Sequence, residues 1–168
     1  MLLANKTVAK KLSEAGWANV YRVHDTPNME KLNALVGVCK TFGYDIEIYD
    51  DSAEIKKSLN GLLKEIKETP EENMIETLVT RCMSKATYTI KNIGHYGLGF
   101  THYSHFTSPI RRYPDLIVHR LLREYLFMNN QSLDVINYYS EAMPEIAIST
   151  SKSERVAVQL EREVVDMK

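Results

Sequence analysis

The run "THYSHFTSPIRRYPDLIVHRLLREYL", from Thr101 to Leu126, holds three histidines, four arginines and two prolines. At its centre, Pro109 and Pro114 bracket Ile110, Arg111, Arg112 and Tyr113. A proline disfavours the α region for the residue before it. Ser108 and Tyr113 are therefore expected to be extended, with a helix opening at Pro114 and Asp115 in its first turn. Arg111 and Arg112 then stand just ahead of a helix N-terminus, where unpaired N–H groups already favour an anion. Two guanidiniums at that point make a concentrated site for phosphate. Upstream, His102, Tyr103, His105 and Phe106 supply planar rings of the kind that stack on bases. Downstream, Ile117, Val118, Leu121, Leu122 and Tyr125 form an apolar helical face, with His119, Arg120 and Arg123 along the other side. A structural reading accounts for the same residues. Arginines beside a helix N-terminus need neutralising, Asp115 and Glu124 are near enough to do it, and rings in an extended segment are commonly just packed.

Other chemistry is weaker. His102 and His105 are three apart, which in a strand puts them on opposite faces, and no third metal ligand has suitable spacing. Asp45 and Glu47 would share a strand face, with Asp50 and Asp51 following, so a magnesium site is conceivable. The competing reading is a solvated edge and a cap for the next helix. No serine, histidine and aspartate are spaced as a nucleophile elbow. Cys39 and Cys82 lack any paired-cysteine spacing, and read as reduced, buried thiols of a cytosolic protein. Net charge is −1 over 168 residues. Any anion site must then be local, because no global basic field exists. No apolar run approaches a membrane span, and no secretory leader is recognisable.

The elements that must carry this hinge read as helix-rich α+β with a few short strands. "MLLANKTVAKKLSEAG" is a helix with Leu2, Leu3, Val8 and Leu12 on one face, stopping at Gly16. "WANVYRVHD" is a short strand, "MEKLNALVGVCKTFG" a helix ending at Gly43, and "YDIEIYDD" a weakly alternating strand. "SAEIKKSLNGLLKEIKE" is amphipathic through Ile55, Leu59, Leu62, Leu63 and Ile66, and Pro70 breaks it. "NMIETLVTRCMSKATYTI" is the next helix, with Met74, Leu78, Cys82 and Met83 inward. "HYGLGFTHYSHF" switches to period two, with Tyr96, Leu98 and Phe100 on one face. Gly97 and Gly99 on the other allow close approach. Helices follow at 114–128 and 133–143. A last one opens with a capping-box pattern, Ser151 to Glu154, and carries Val156, Leu160 and Val164.

The segment "GHYGLGFTHYSHFTSPIRRYPDLIVHRLL" closely resembles the signature of the ribonuclease II / ribonuclease R family, the RNB-type exoribonucleases. "MLLANKTVAKKL", "YRVHDTPNMEKLNAL" and "SERVAVQLEREVVD" resemble three further family stretches in the same order, and the motif set is closer to the ribonuclease R branch. The resemblance covers nearly the whole chain; "EIYDDSAEIKKSLNG" is its least distinctive part. It implies magnesium-dependent hydrolysis of single-stranded RNA from the 3′ end, releasing 5′-mononucleotides. It further implies that residues 1–168 are the C-terminal portion of an RNB-type catalytic domain. The family's upstream aspartate cluster, which holds the Mg2+, and its OB-type RNA-binding modules are not in this sequence. The family's Ser-Pro-Ile-Arg run places its catalytic arginine at Arg111. Ser108, Arg112, Tyr113 and Arg120, with His102, Tyr103 and His105, are the expected RNA contacts. Such a piece is expected to be inactive alone and to self-associate. The competing function is a non-catalytic RNA-binding or adaptor module on the same fold.

Overall fold

The structure is a computed structural model and describes residues 1–49 and 51–167. It divides the chain into two compact units. One comprises Asp25–Lys85, the other Met1–His24 together with the chain from Ala86 onward.

The unit Asp25–Lys85 is three helices around one core. Helix α2, Met29–Thr41, begins at Asn28, whose side chain accepts from Lys31 N at 3.0 Å. It ends where Gly43 turns left-handed at φ +85°. Helix α3, Ser52–Glu65, is capped by Asp51, which accepts from Ala53 N and Glu54 N at 3.1 Å each. Such caps satisfy N–H groups that a helix start leaves open. Helix α4 runs Glu72–Cys82. Leu32, Leu35, Cys39, Ile55, Leu59, Leu62, Ile66, Ile75, Val79 and Cys82 form the buried cluster. Both cysteines are free, and burial pushes both thiols up. The two ends of this unit are tied together. Asn28 N donates to Cys82 O at 3.0 Å, and Ser84 Oγ donates to Thr26 O at 2.7 Å.

Two expectations change here. Helix α4 buries Ile75, Val79 and Cys82, leaving Met74 exposed and Leu78 at the core's margin. It stops at Cys82 because Met83 is extended, and Thr87–Thr89, read as helix, is a strand. Two threonines and a tyrosine favour that outcome. Residues 44–49, expected as a strand, have no strand partner among the described residues. Their alternation survives because Ile46 and Ile48 lie against the helix core while Glu47 holds Ser58 through its carbonyl.

In the other unit, strand β1, Tyr21–Val23, pairs antiparallel with β2, Thr87–Thr89, in the register Tyr21↔Thr89, Arg22↔Tyr88, Val23↔Thr87. Helix α1, Leu2–Glu14, buries Asn5, Ala9 and Leu12, whereas Leu2 and Leu3 are exposed and Val8 is half-buried. The true stripe contains an asparagine, which hydrophobicity alone passes over. Helix α5, Tyr113–Leu122, begins one residue before Pro114, with Arg112 as its extended cap. At 123–127 it widens into a π-helical turn, closed by Met128 N donating to Arg123 O at 2.9 Å. That turn seats buried Tyr125 against Trp17, ring centroids 4.8 Å apart.

Helix α6 is continuous over Leu133–Asp166, with Pro144 inside it. The two separate helices expected there are one. An internal proline costs about 3 kcal/mol. Burial of Met143 and Ala147 beside Val20, Tyr88, Ile117, Leu121 and Tyr125 offsets that cost. Ser151 is accordingly not a cap. Its hydroxyl accepts from Tyr88 N at 3.0 Å and donates to Tyr88 O at 3.3 Å, fastening α6 to β2. Beyond Glu154, Val156, Leu160, Val164 and Val165 are exposed.

The period-two stretch from His95 is not a strand. Tyr96–Leu98 forms a single 3₁₀ turn that ends on Gly99 at φ +67°. Gly97 does serve close approach: a Cβ there would lie 3.2 Å from His24 Nδ1, which accepts from Gly97 N at 2.9 Å.

Candidate functional site

The two hinge arginines have opposite surroundings. Arg111 N and Arg112 N both donate to Ser108 O, at 3.3 and 3.2 Å, so residues 108–112 form a tight turn. Arg112 reaches inward. Its Nη2 lies 2.8 Å from Asp115 Oδ1, and the arginine side chain is only 22% exposed. Asp115 is 0% exposed, and its Oδ1 also accepts from Ser108 N at 2.7 Å. Arg111 is exposed, and among the described residues its guanidinium has no hydrogen bond or ion pair. Beside it Ile110 is 98% exposed and Tyr113 is 49% exposed. Of the two structural partners the sequence offers, Asp115 neutralises Arg112, while Glu124 accepts from the Asn130 side chain.

The segment leading to the hinge is extended but owes little to a sheet. It is tied to β1 by Arg22 N donating to Tyr103 O at 2.9 Å. Side chains supply the rest. Asn5 donates to the Tyr103 hydroxyl and accepts from Phe106 N, both at 3.1 Å. Asn19 donates to Ser104 Oγ at 2.9 Å. The Tyr88 hydroxyl and His105 Nδ1 are 2.8 Å apart. His119 Nε2 donates to Phe106 O at 2.9 Å, with the two rings stacked 4.3 Å apart. Behind Tyr88 stands Arg22, 4.6 Å above its ring and ion-paired with Glu154 of α6.

This bracing sorts the expected RNA contacts. Tyr103 is 6% exposed and meets His105 edge-on at 5.6 Å, so its ring is packed rather than offered to a base. His105 is likewise half-buried in that cluster, and Ser108 is engaged through its backbone. His102 is half-exposed, with its Nδ1 3.1 Å from Thr101 Oγ1. Tyr113 and Arg120 are exposed. The bracing residues Asn5, Asn19, Tyr88 and His119 escape a reading based on motif chemistry. Asn5 alone left a signal, as a polar residue at helical spacing with Ala9 and Leu12.

Burial, then the nearby charges of Arg112 and Arg22, lower the His105 pKa from 6.5 to about 4. Burial raises the Tyr88 phenol to about 12. Between pH 6.5 and 4 an unfolded chain binds a proton at His105 that the folded chain refuses. Stability therefore falls as pH drops through that window and is retained above it. His105→Gln should remove this contribution. Melting temperatures of both proteins, followed from pH 7 to pH 4, should converge as the pH falls, and parallel curves would exclude the effect.

Among the described residues, no three His, Cys, Asp or Glu side chains come together as metal ligands. Asp51 is occupied as a helix cap, Glu47 accepts from the Tyr49 hydroxyl, and Asp115 is committed to the hinge. Asp50 lies outside the described residues. The described residues do not fit a magnesium site. No helix among them is long and apolar enough to cross a membrane.

The model of the RNB domain family matches residues 1–128. Ribonuclease R 1 of Lactococcus lactis is 41% identical over 168 residues, covering all of this chain and 20% of its own length. Among solved structures, Mycoplasma genitalium RNase R in complex with ribose-methylated single-stranded RNA superposes with a TM-score of 0.89 at 31% identity. The match covers 99% of this chain and 26% of that one. Yeast Ssd1, described as a pseudonuclease, matches 83% of this chain and 18% of its own at a TM-score of 0.61 and 28% identity. The chain thus spans about a fifth to a quarter of the ribonuclease R proteins it matches.

Proposed function

This chain belongs to the RNB-domain family, and from that premise we propose that it supplies the phosphate-binding wall of a hydrolytic 3′→5′ exoribonuclease. The substrate we assign is single-stranded RNA, the products are 5′-mononucleotides and the compartment is the cytoplasm. One observation carries the reading: of two adjacent arginines, Arg112 is spent on a buried carboxylate and Arg111 is left facing solvent. In this reading Arg111 grips two oxygens of the scissile phosphate through its planar fork. It also offsets the negative charge that grows as water attacks. Exposed Tyr113 and Arg120 and half-exposed His102 contact the strand nearby. Arg112, Tyr103 and His105 act from behind, holding the turn and its approach. We place the Mg2+ ligands of the full enzyme outside this chain, so no step here runs through the metal.

The isolated chain, incubated with end-labelled single-stranded RNA and Mg2+, is expected to release no mononucleotides and to bind weakly. With two or three phosphates engaged, log K should fall with log salt at a slope of about −1.4 to −2.1. Mononucleotides that persist through a second purification would overturn the assignment, and tight, salt-insensitive binding would point to stacking instead. In the same preparation we expect a dimer or larger species, because the outer half of α6 exposes Val156, Leu160 and Val164.

The likeness to a pseudonuclease favours one second reading, an RNA-binding module that keeps the fold without the chemistry. The full-length protein separates the two: RNA bound and left intact means the second reading, RNA shortened from its 3′ end the first.

A further inference from the structure

We propose that Asp115 is a positioning residue for the reaction, closing the 108–112 turn so that Arg111, and not Arg112, meets the phosphate. The assignment deepens the exoribonuclease reading and rests on it. A carboxylate at 0% exposure is costly to bury, and an ion pair there repays that cost only with good geometry and full hydrogen bonding. This pair lacks the second. Arg112 engages through Nη2 alone, and both Arg112 Nε and Asp115 Oδ2 are buried without a hydrogen-bond partner among the described residues. Such a pair is a poor device for stability, and a packed apolar residue would serve that purpose better.

What the pair does achieve is geometric. The two donors on Oδ1 come from opposite ends of the turn, Ser108 N at its entry and Arg112 at its exit. Arg111 lies between them, so one buried atom holds the stretch of backbone that carries it. The same contact withdraws the neighbouring guanidinium. Without it, two adjacent arginines would compete for one phosphate, and the anion could settle off the line of attack. A misplacement of about 1 Å can cost about 10²-fold in rate.

The test uses the full-length enzyme, with single-turnover cleavage at saturating RNA, RNA affinity and thermal melting measured together. Asp115→Asn should lower the cleavage rate about 10- to 100-fold while RNA affinity stays near wild type. In an Arg111→Ala background the same substitution should change the rate little, because a residue acting through Arg111 has nothing left to position. A full multiplicative loss in that background would show Asp115 to be merely structural and overturn the assignment. Arg112→Lys keeps a cation on Asp115 and serves if Asp115→Asn does not fold. Its loss of rate should be smaller than that of Arg111→Lys and should vanish in an Arg111→Ala background; a loss as large as that of Arg111→Lys, or one that persists in that background, would put Arg112 on the phosphate and sink the proposal. An Arg111→Ala enzyme that cleaves normally removes the exoribonuclease role of Arg111, and this assignment with it.

Discussion

In the full-length enzyme, Arg111→Ala is expected to lower the single-turnover cleavage rate by about 10²- to 10³-fold, the usual loss for one donor aimed at transition-state charge. The affinity for a long RNA should change little, because many other contacts hold the strand. Arg111→Lys should recover only part of the rate. An ammonium restores the charge but cannot present two parallel N–H groups to two phosphate oxygens. Because Arg111 is exposed and unpaired, neither variant should move the melting temperature appreciably. Lys10→Ala removes a positive charge from an exposed pair with Glu14 elsewhere on the surface and is the control for net charge. An Arg111→Ala enzyme that cleaves near the wild-type rate would refute the assignment, whatever its affinity for RNA.

The largest effect on stability is expected at Asn5. Its amide is buried and serves two groups at once, the Tyr103 hydroxyl and Phe106 N. Asn5→Ala removes both bonds and leaves the half-buried Phe106 N–H and the buried Tyr103 hydroxyl short of a partner. A buried group left unpaired costs about 1–3 kcal/mol, so the total should be about 3 kcal/mol. For a chain of this size that lowers the melting temperature by about 6–12 °C. Tyr103→Phe, which removes only one of the two bonds, should cost distinctly less. Equal losses from the two variants, or none from Asn5→Ala, would mean that Asn5 does not brace the hinge approach.

Where a side chain's own pattern decided its place, the sequence was legible. The stripe Ile55, Leu59, Leu62, Ile66 and the apolar face of α5 are buried as their spacing requires. The turn that displays Arg111 and Arg112 was legible as well, because two prolines and a following helix dictate it. The failures share a physical cause. Period two at Tyr96, Leu98 and Phe100 also suits a chain that curls on itself when Gly99 adopts a left-handed conformation. Pro144 and Ser151 carry strong local signals for a helix end and a helix start. Packing of Met143 and Ala147 into the core outweighs the first, and Tyr88 claims the hydroxyl on which the second depends. The division of labour between Arg111 and Arg112 depends on which one reaches Asp115. Helical position limits that choice, but only the folded turn makes it.

The ties between the two ends of the three-helix unit bear on the order of folding. Strands β1 and β2 are distant in sequence, so their pairing is a long-range event that would ordinarily carry the entropy of closing a large loop. The bonds from Asn28 N to Cys82 O and from Ser84 to Thr26 change that cost. Once α2, α3 and α4 have condensed on their own core, Thr26 and Ser84 are in contact, and only a few residues separate each from its strand. From that moment β1 and β2 meet almost as the arms of a hairpin do, and the intervening helices act as a preformed turn. Pairing then places Arg22 beside Tyr88, and with them the buried scaffold behind the hinge. The hinge that carries Arg111 is thus expected to form late: it waits on a small helical unit that contributes none of its residues.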